Sequence, residues 1–149
     1  MRNEVLIRLA EPADFEQWLL LWEGYNAFYR RQVPMEVTRM TWSRFFDAYE
    51  PMHAVVAEKD GHLLGLAHYL YHRNTAMLAP TCYLQDLFTL TESRGQGIGR
   101  ALIEAVYEQA LAAGSPRVYW MTQESNATAR RLYDQVAEQS GFIQYRRQF

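Results

Sequence analysis

Three glycines in alternation, Gly95, Gly97 and Gly99, lie between Arg94 and Arg100, after a run of strand-forming residues and before an amphipathic stretch. Glycine lacks the β-carbon that would hold a ligand away from the backbone, and N–H groups at a helix start carry the positive end of its dipole. Arg94-Gly95-Gln96-Gly97-Ile98-Gly99-Arg100 is therefore a candidate cradle for a pyrophosphate, to which the two arginines can add charge-assisted contacts. Two better-known phosphate motifs fail here. A P-loop counted from Gly95 puts Arg100-Ala101 where Gly-Lys is required, and the dinucleotide fingerprint puts Arg100 where a third glycine belongs. A bare strand-to-helix turn has no need of three glycines, each of which costs backbone entropy.

The cradle needs a strand to deliver it and a helix to present it. Cys82 to Leu90 is rich in β-formers, and Ile98, Ala101, Leu102, Ala105, Val106 and Ala110 recur on one helical face up to Gly114-Ser115-Pro116. Upstream, Glu4 to Leu9 alternates as a strand, and Phe15, Trp18, Leu19, Trp22, Tyr25, Phe28 and Tyr29 share a helical stripe over Ala13 to Tyr29. Trp42, Phe45, Phe46 and Tyr49 predict a second aromatic helix over Thr41 to Tyr49, stopped before Pro51. His53 to Glu58 and Leu63 to His72 read as strands joined through Lys59-Asp60-Gly61-His62, a tight hairpin. Arg117 to Thr122 predicts a short strand reached by a parallel crossover. Ser125 or Asn126 caps a further helix bearing Ala129, Leu132, Tyr133, Val136 and Ala137, and Gly141 releases the chain into a last strand, Phe142 to Phe149.

Composition narrows the function. The 149 residues predict a single domain. A net charge of −2 leaves no basic footprint for nucleic acid or an anionic membrane. Cys82 is the only cysteine, which fits a reducing compartment, and Met1 to Arg8 lacks a basic segment followed by an apolar one, so the cytoplasm is the expected location. The histidines show no metal-ligand spacing, and His68 and His72 on a strand are expected to pack or face solvent.

The order of elements and the motif together resemble the GNAT superfamily of acyl-CoA-dependent N-acetyltransferases, whose signature Arg/Gln-x-x-Gly-x-Gly/Ala is matched by Arg94, Gly97 and Gly99. The resemblance covers essentially the whole chain. It implies an α/β (α+β) fold with a central mixed, mostly antiparallel sheet of about six or seven strands and about four helices, strands 4 and 5 being parallel and splayed. It implies acetyl-CoA as co-substrate without a metal: Arg94 to Arg100 take the pyrophosphate, Leu87, Phe88 and Thr89 pair with the pantetheine arm, Asn126 contacts that arm, and Tyr133 is the general acid beside the sulfur. Tyr83-Leu84-Gln85-Asp86-Leu87-Phe88 looks like the diamine and spermidine/spermine acetyltransferase branch. Leu21 to Tyr29 has counterparts in bacterial histone- or polyamine-type acetyltransferases.

On this resemblance the acceptor is a primary amine of a polyamine-like small molecule or a protein lysine, with an antibiotic or amino acid as alternatives and a homodimer as the compatible assembly. A CoA-binding module without turnover is the rival of a different class. The proton acceptor is open. Relatives often carry glutamate where this chain has Gln85, whose amide takes no proton. Strand alternation points Asp86 to the face opposite Gln85, and Glu23, Asp47, Glu50 and Glu124 are further carboxylates. Gln85, Trp22, Tyr25 and Tyr29 are the candidates for an acceptor pocket, the rings holding a cation by cation–π attraction where they do not simply pack.

Overall fold

The computed structural model describes residues 4–149; Met1 to Asn3, the head of the segment weighed for a targeting signal, lie outside the described residues. Five strands run in chain order across one sheet: β1 (Leu6–Leu9), β2 (Met52–Lys59), β3 (His62–His72), β4 (Thr81–Thr89) and β5 (Val118–Tyr119). The first three junctions are antiparallel and β4–β5 is parallel, the mixed and mostly antiparallel sheet that was expected. Four α-helices accompany it among the described residues: α1 (Phe15–Phe28), α2 (Met35–Arg44), α3 (Ile98–Ala112) and α4 (Ala127–Val136). No described helix is long and apolar enough to cross a membrane.

Alternation along the strands sends side chains into two cores, one on each face of the sheet. Val55, Ala57, Ala67, Tyr69, Cys82 and Leu84 pack against Leu102, Ile103 and Val106 of α3. Val56, Leu66 and Phe88 pack against Trp18, Leu21, Trp22 and Tyr25 of α1. At the head of α1, Arg8 donates to both carboxylate oxygens of Asp14 at 2.7 and 2.9 Å and to Glu58 at 2.7 Å, tying β1 to β2 and to the helix start. Hydrogen bonding from Arg8 holds the Asp14 carboxyl below the usual range. Between β2 and β3, Asp60 (φ 51°) and Gly61 (φ 79°) supply the two positive angles of the expected tight hairpin.

Three elements depart from the sequence pattern, the first being the strand expected over Arg117 to Thr122, which pairs only at Val118 and Tyr119. The second helix begins at Met35, behind Pro34, and ends at Arg44, so Phe45 to Tyr49 lie beyond it in turns. There the Asp47 carboxylate takes the Tyr49 N–H at 2.9 Å, a local bond that competes with helix, and Pro51 follows. The expected strand Phe142 to Phe149 does not form, which brings the strand count to five among the described residues in place of six or seven. Its alternation supplies β propensity, yet no described strand offers it a ladder, and Phe142, Ile143, Tyr145 and Phe149 are exposed.

Candidate active site

The glycine segment ends in a helix start with unused donors. Gly97 is the N-cap of α3 in the left-handed conformation (φ 78°) and Gly95 has φ 80°, so both positions favour glycine. No side chain caps α3, and its first internal bond in the loop runs from the Ala101 N–H to the Gly97 carbonyl. The N–H groups of Gly95 to Arg100 are therefore available to a ligand, and beyond each glycine's own chain neighbours no protein atom lies within 4 Å of where a β-carbon would stand on Gly95 or Gly97. Arg94 donates to the Thr89 carbonyl at 3.2 Å and covers the rings of Phe28 and Phe88 at 5.7 and 5.9 Å. Arg100 pairs with Glu104 at 3.1 Å, and Gln96 is exposed.

The strand leading into this loop carries a second set of unused groups. β5 pairs with β4 only at Cys82↔Val118 and Tyr83↔Tyr119, so from Leu84 to Thr89 the β4 edge on that side has no ladder. Leu87, Phe88 and Thr89 lie on this stretch, paired on their other side with Ala67, Leu66 and Gly65 of β3. An unpaired strand edge beside an uncapped helix start offers main-chain hydrogen bonds to an extended arm and dipolar N–H groups to its anionic end. The residues present therefore fit a long ligand ending in phosphates.

A β-bulge sits between these features. His68 pairs with Asp86 and Tyr69 with Leu84, leaving Gln85 as the extra residue, exposed and without a partner across the ladder. Without the bulge, Asp86 would share a face with Leu84; instead it turns to the α1 face. There its Oδ2 meets His68 Nδ1 at 2.9 Å, and His68 Nε2 meets Trp18 Nε1 at 2.9 Å. Indole nitrogen can only donate, so Nε2 accepts and the imidazole proton sits on Nδ1, directed at Asp86. All three side chains are buried. This chain of contacts was not visible in the sequence, because only the strand register brings His68 opposite Asp86.

The aromatic candidates lie on the same side. Trp22 donates to the Thr38 hydroxyl at 3.0 Å and stacks with Tyr25 at 5.8 Å, and both are buried. The cation over these rings is the protein's own Arg31, whose guanidinium carbon is 5.6 Å from the Trp22 ring centre and 5.3 Å from that of Tyr25. Tyr29 packs on Tyr25 at 5.0 Å. Glu23 lines a cleft of about 490 Å³ with Arg30 and Arg31. Glu50 pairs with Arg44 at 3.7 Å, while Asp47 is engaged in its turn.

Beyond β5 in the chain, Asn126 Oδ1 accepts the Ala129 N–H and so caps α4. Two α4 turns after Asn126, Tyr133 packs edge-on to Trp120 at 5.4 Å. Burial, aided by nearby Tyr29, pushes its phenol up to about 12. No described residue bonds the hydroxyl, and no buried side-chain polar atom is left unsatisfied, so the oxygen reaches solvent. Among the described residues no group of three or more His, Cys, Asp or Glu side chains gathers as a metal site.

Comparison with known proteins agrees with this geometry. The model of the acetyltransferase (GNAT) family matches residues 18–137, and the chain belongs to that family, as an N-acetyltransferase. It is 34% identical over 149 residues to the D-amino-acid N-acetyltransferase HPA3 of Saccharomyces cerevisiae, covering 99% of this chain and 92% of that protein. It is 28% identical to the uncharacterized N-acetyltransferase YhfO of Bacillus subtilis, over 93% of this chain and 94% of the relative. Among solved structures, AAC(6')-Iy in complex with the bisubstrate analog CoA-S-monomethyl-acetylneamine superposes with a TM-score of 0.85 at 19% identity. That match covers 98% of this chain and 99% of the other, a likeness of fold.

Proposed function

We propose that the protein transfers the acetyl group of acetyl-CoA to the primary amine of a small molecule, with an amino acid as the acceptor class. The observation that carries acetyl-CoA as donor is the juxtaposition of the uncapped α3 start with the unladdered β4 edge. Backbone N–H groups from Gly95 to Arg100 would hold its pyrophosphate, with Arg94 alongside, and Leu87, Phe88 and Thr89 its pantetheine arm. Bound there, acetyl-CoA supplies an acyl group already activated as a thioester. The structural neighbour in complex with a CoA bisubstrate analog and the yeast relative, a D-amino-acid N-acetyltransferase, support the two halves of this proposal.

The chain's own residues then divide the work. Asp86, oriented by His68 and Trp18, faces an incoming ammonium group from the α1 side of the bulge. Gln85 cannot take a proton, so the amine loses its proton to water at the exposed bulge. An N–H of the open β4 edge near Leu87 stabilises charge developing on the carbonyl oxygen. Tyr133, protonated at neutral pH, donates a hydrogen bond toward the departing sulfur. A polyamine acceptor, the class suggested by the Tyr83 to Phe88 pattern, is disfavoured by the Arg31 guanidinium 4.0 Å from Asp86, which repels a second ammonium. Thiol release from acetyl-CoA, measured across amino acids, polyamines, aminoglycosides and lysine peptides, tests the proposal. Turnover concentrated on amino acids is expected, and turnover on no amine would reduce the protein to a CoA binder.

A further inference from the structure

We infer that Arg31 is a preorganised receptor for the carboxylate of the acceptor, which makes the acceptor an α-amino acid presenting its ammonium group to Asp86. This rests on the acetyl-transfer reading and adds to it the residue that selects the substrate.

The placement of Arg31 begins in the backbone. At the end of α1 the Arg30 N–H bonds the Ala27 carbonyl at 3.0 Å and the Arg31 N–H bonds the Asn26 carbonyl at 3.0 Å, the paired closure of a Schellman motif. Such a closure needs a left-handed residue, usually glycine. Here it is Arg30, with φ 53°, a conformation that non-glycine residues adopt at a cost. A hydrophobic contact commonly accompanies this motif, between the residue after the turn and the last helical turn. In its place Arg31 Nε donates to the buried Asn26 Oδ1 at 2.7 Å. The side chain is thus tied to one asparagine through main chain and side chain alike.

Its head group is held from further directions. The guanidinium lies over both Trp22 and Tyr25, and one terminal nitrogen stands 4.0 Å from Asp86 Oδ1. The terminal N–H groups find no acceptor within hydrogen-bond distance among the described residues, and the side chain remains 46% exposed. Arg31 also lines the cleft of about 490 Å³ with Trp22, Asn26 and Thr38. A solvated surface arginine would not be anchored at Nε, stacked on two rings and set by a strained turn. A purely structural one would spend its terminal donors. A fixed fork with open ends is the arrangement that accepts a carboxylate through two parallel bonds. The adjacent opposite charges of Asp86 and Arg31 match an ammonium and a carboxylate carried on one carbon, whereas a simple amine leaves the fork unused.

The test compares leucine, leucinamide and isopentylamine as acceptors in the wild-type enzyme and in the Arg31→Gln and Arg31→Lys variants, beside calorimetric binding of leucine and leucinamide. The wild type should favour the acid over amide and amine by about 10- to 150-fold in kcat/KM, the range of one charged hydrogen-bonded contact. In Arg31→Gln that ratio should collapse toward unity, and Arg31→Lys should restore part of it as a point charge without the fork. Equal wild-type rates on all three acceptors, or a ratio unchanged by Arg31→Gln, would overturn the assignment while leaving acetyl transfer intact. If no acceptor turns over, the acetyl-transfer reading fails. Calorimetry then still decides: carboxylate-dependent binding lost in Arg31→Gln supports the receptor, and equal binding of acid and amide refutes it. A thermal melt of Arg31→Gln within a few degrees of wild type excludes unfolding as the cause.

Discussion

Replacing Tyr133 by phenylalanine removes one solvent-reaching oxygen and leaves the ring against Trp120. The hydroxyl bonds no described residue, so its loss should leave thermal stability within about 0.5 kcal/mol, as for a substitution that disturbs no packing. Its catalytic weight follows from the raised phenol. At about 12 it is protonated at any working pH. Giving the proton outright to a thiolate whose thiol sits near ~8.5 would be uphill by about 3.5 units, roughly 5 kcal/mol. A hydrogen bond to the sulfur as charge develops avoids that cost and contributes about 1.5–3 kcal/mol, the range for a bond to a charged group. Tyr133→Phe should therefore lower kcat about 10- to 150-fold with little change in KM for acetyl-CoA, read by continuous thiol release under saturating acceptor. The alkaline limb of the wild-type profile should show no loss from Tyr133 below about pH 10, because a raised phenol stays protonated until pH approaches its folded value. A variant within about threefold of wild type in kcat would refute the role given to this oxygen.

Three further outcomes follow from the same geometry. Gly97→Ala should cost about 1–2 kcal/mol of stability, read by denaturant melts, because φ is 78° there. The added methyl also enters the space proposed for phosphate, so KM for acetyl-CoA should rise about tenfold or more. Asp14 is held low by Arg8, so the stability it contributes is complete above the unfolded value near ~3.9 and is lost as pH falls through its lower folded value. Asp14→Asn should lower Tm at neutral pH and flatten the acid limb of a Tm-against-pH curve; an unchanged limb would contradict the coupling. Nitrogen NMR of labelled His68 should show the proton on Nδ1, and a proton on Nε2 would exclude the bond from Trp18.

How far the sequence could be read depended on the range of the interaction that decides each element. The Asp60-Gly61 turn, the glycine segment and the α3 face are set by residues within a few positions of one another, and local pattern sufficed. The α2 boundary depended on a choice between Pro34 as a start and an aromatic stripe as a guide, and the stripe misled because Phe46 and Tyr49 are exposed beyond the helix. The tail failed for a different reason: alternation describes a strand's faces and says nothing of whether an edge exists to receive it. In the proposed site, Tyr133 and Asn126 enter only through their resemblance to a family motif, since spacing alone marks Tyr133 as core. The Gln85 bulge lay beyond both routes. It redirects Asp86 from the face of Leu84 to that of His68, and only the register between β3 and β4 contains that information. The Trp22 and Tyr25 rings, considered in the sequence for an acceptor's cation, are covered by the protein's own Arg31, which local pattern could not place because Arg30 turns the chain back.

The main-chain amides at the α3 start and on the open β4 edge are the centre of the account, and an amide NMR titration of the labelled protein with CoA observes them directly. The N–H signals of Gly95 to Arg100 and of Leu87 to Thr89 should shift most and saturate together. Saturable binding that leaves both groups unmoved while signals elsewhere shift, or no binding at all, would contradict it.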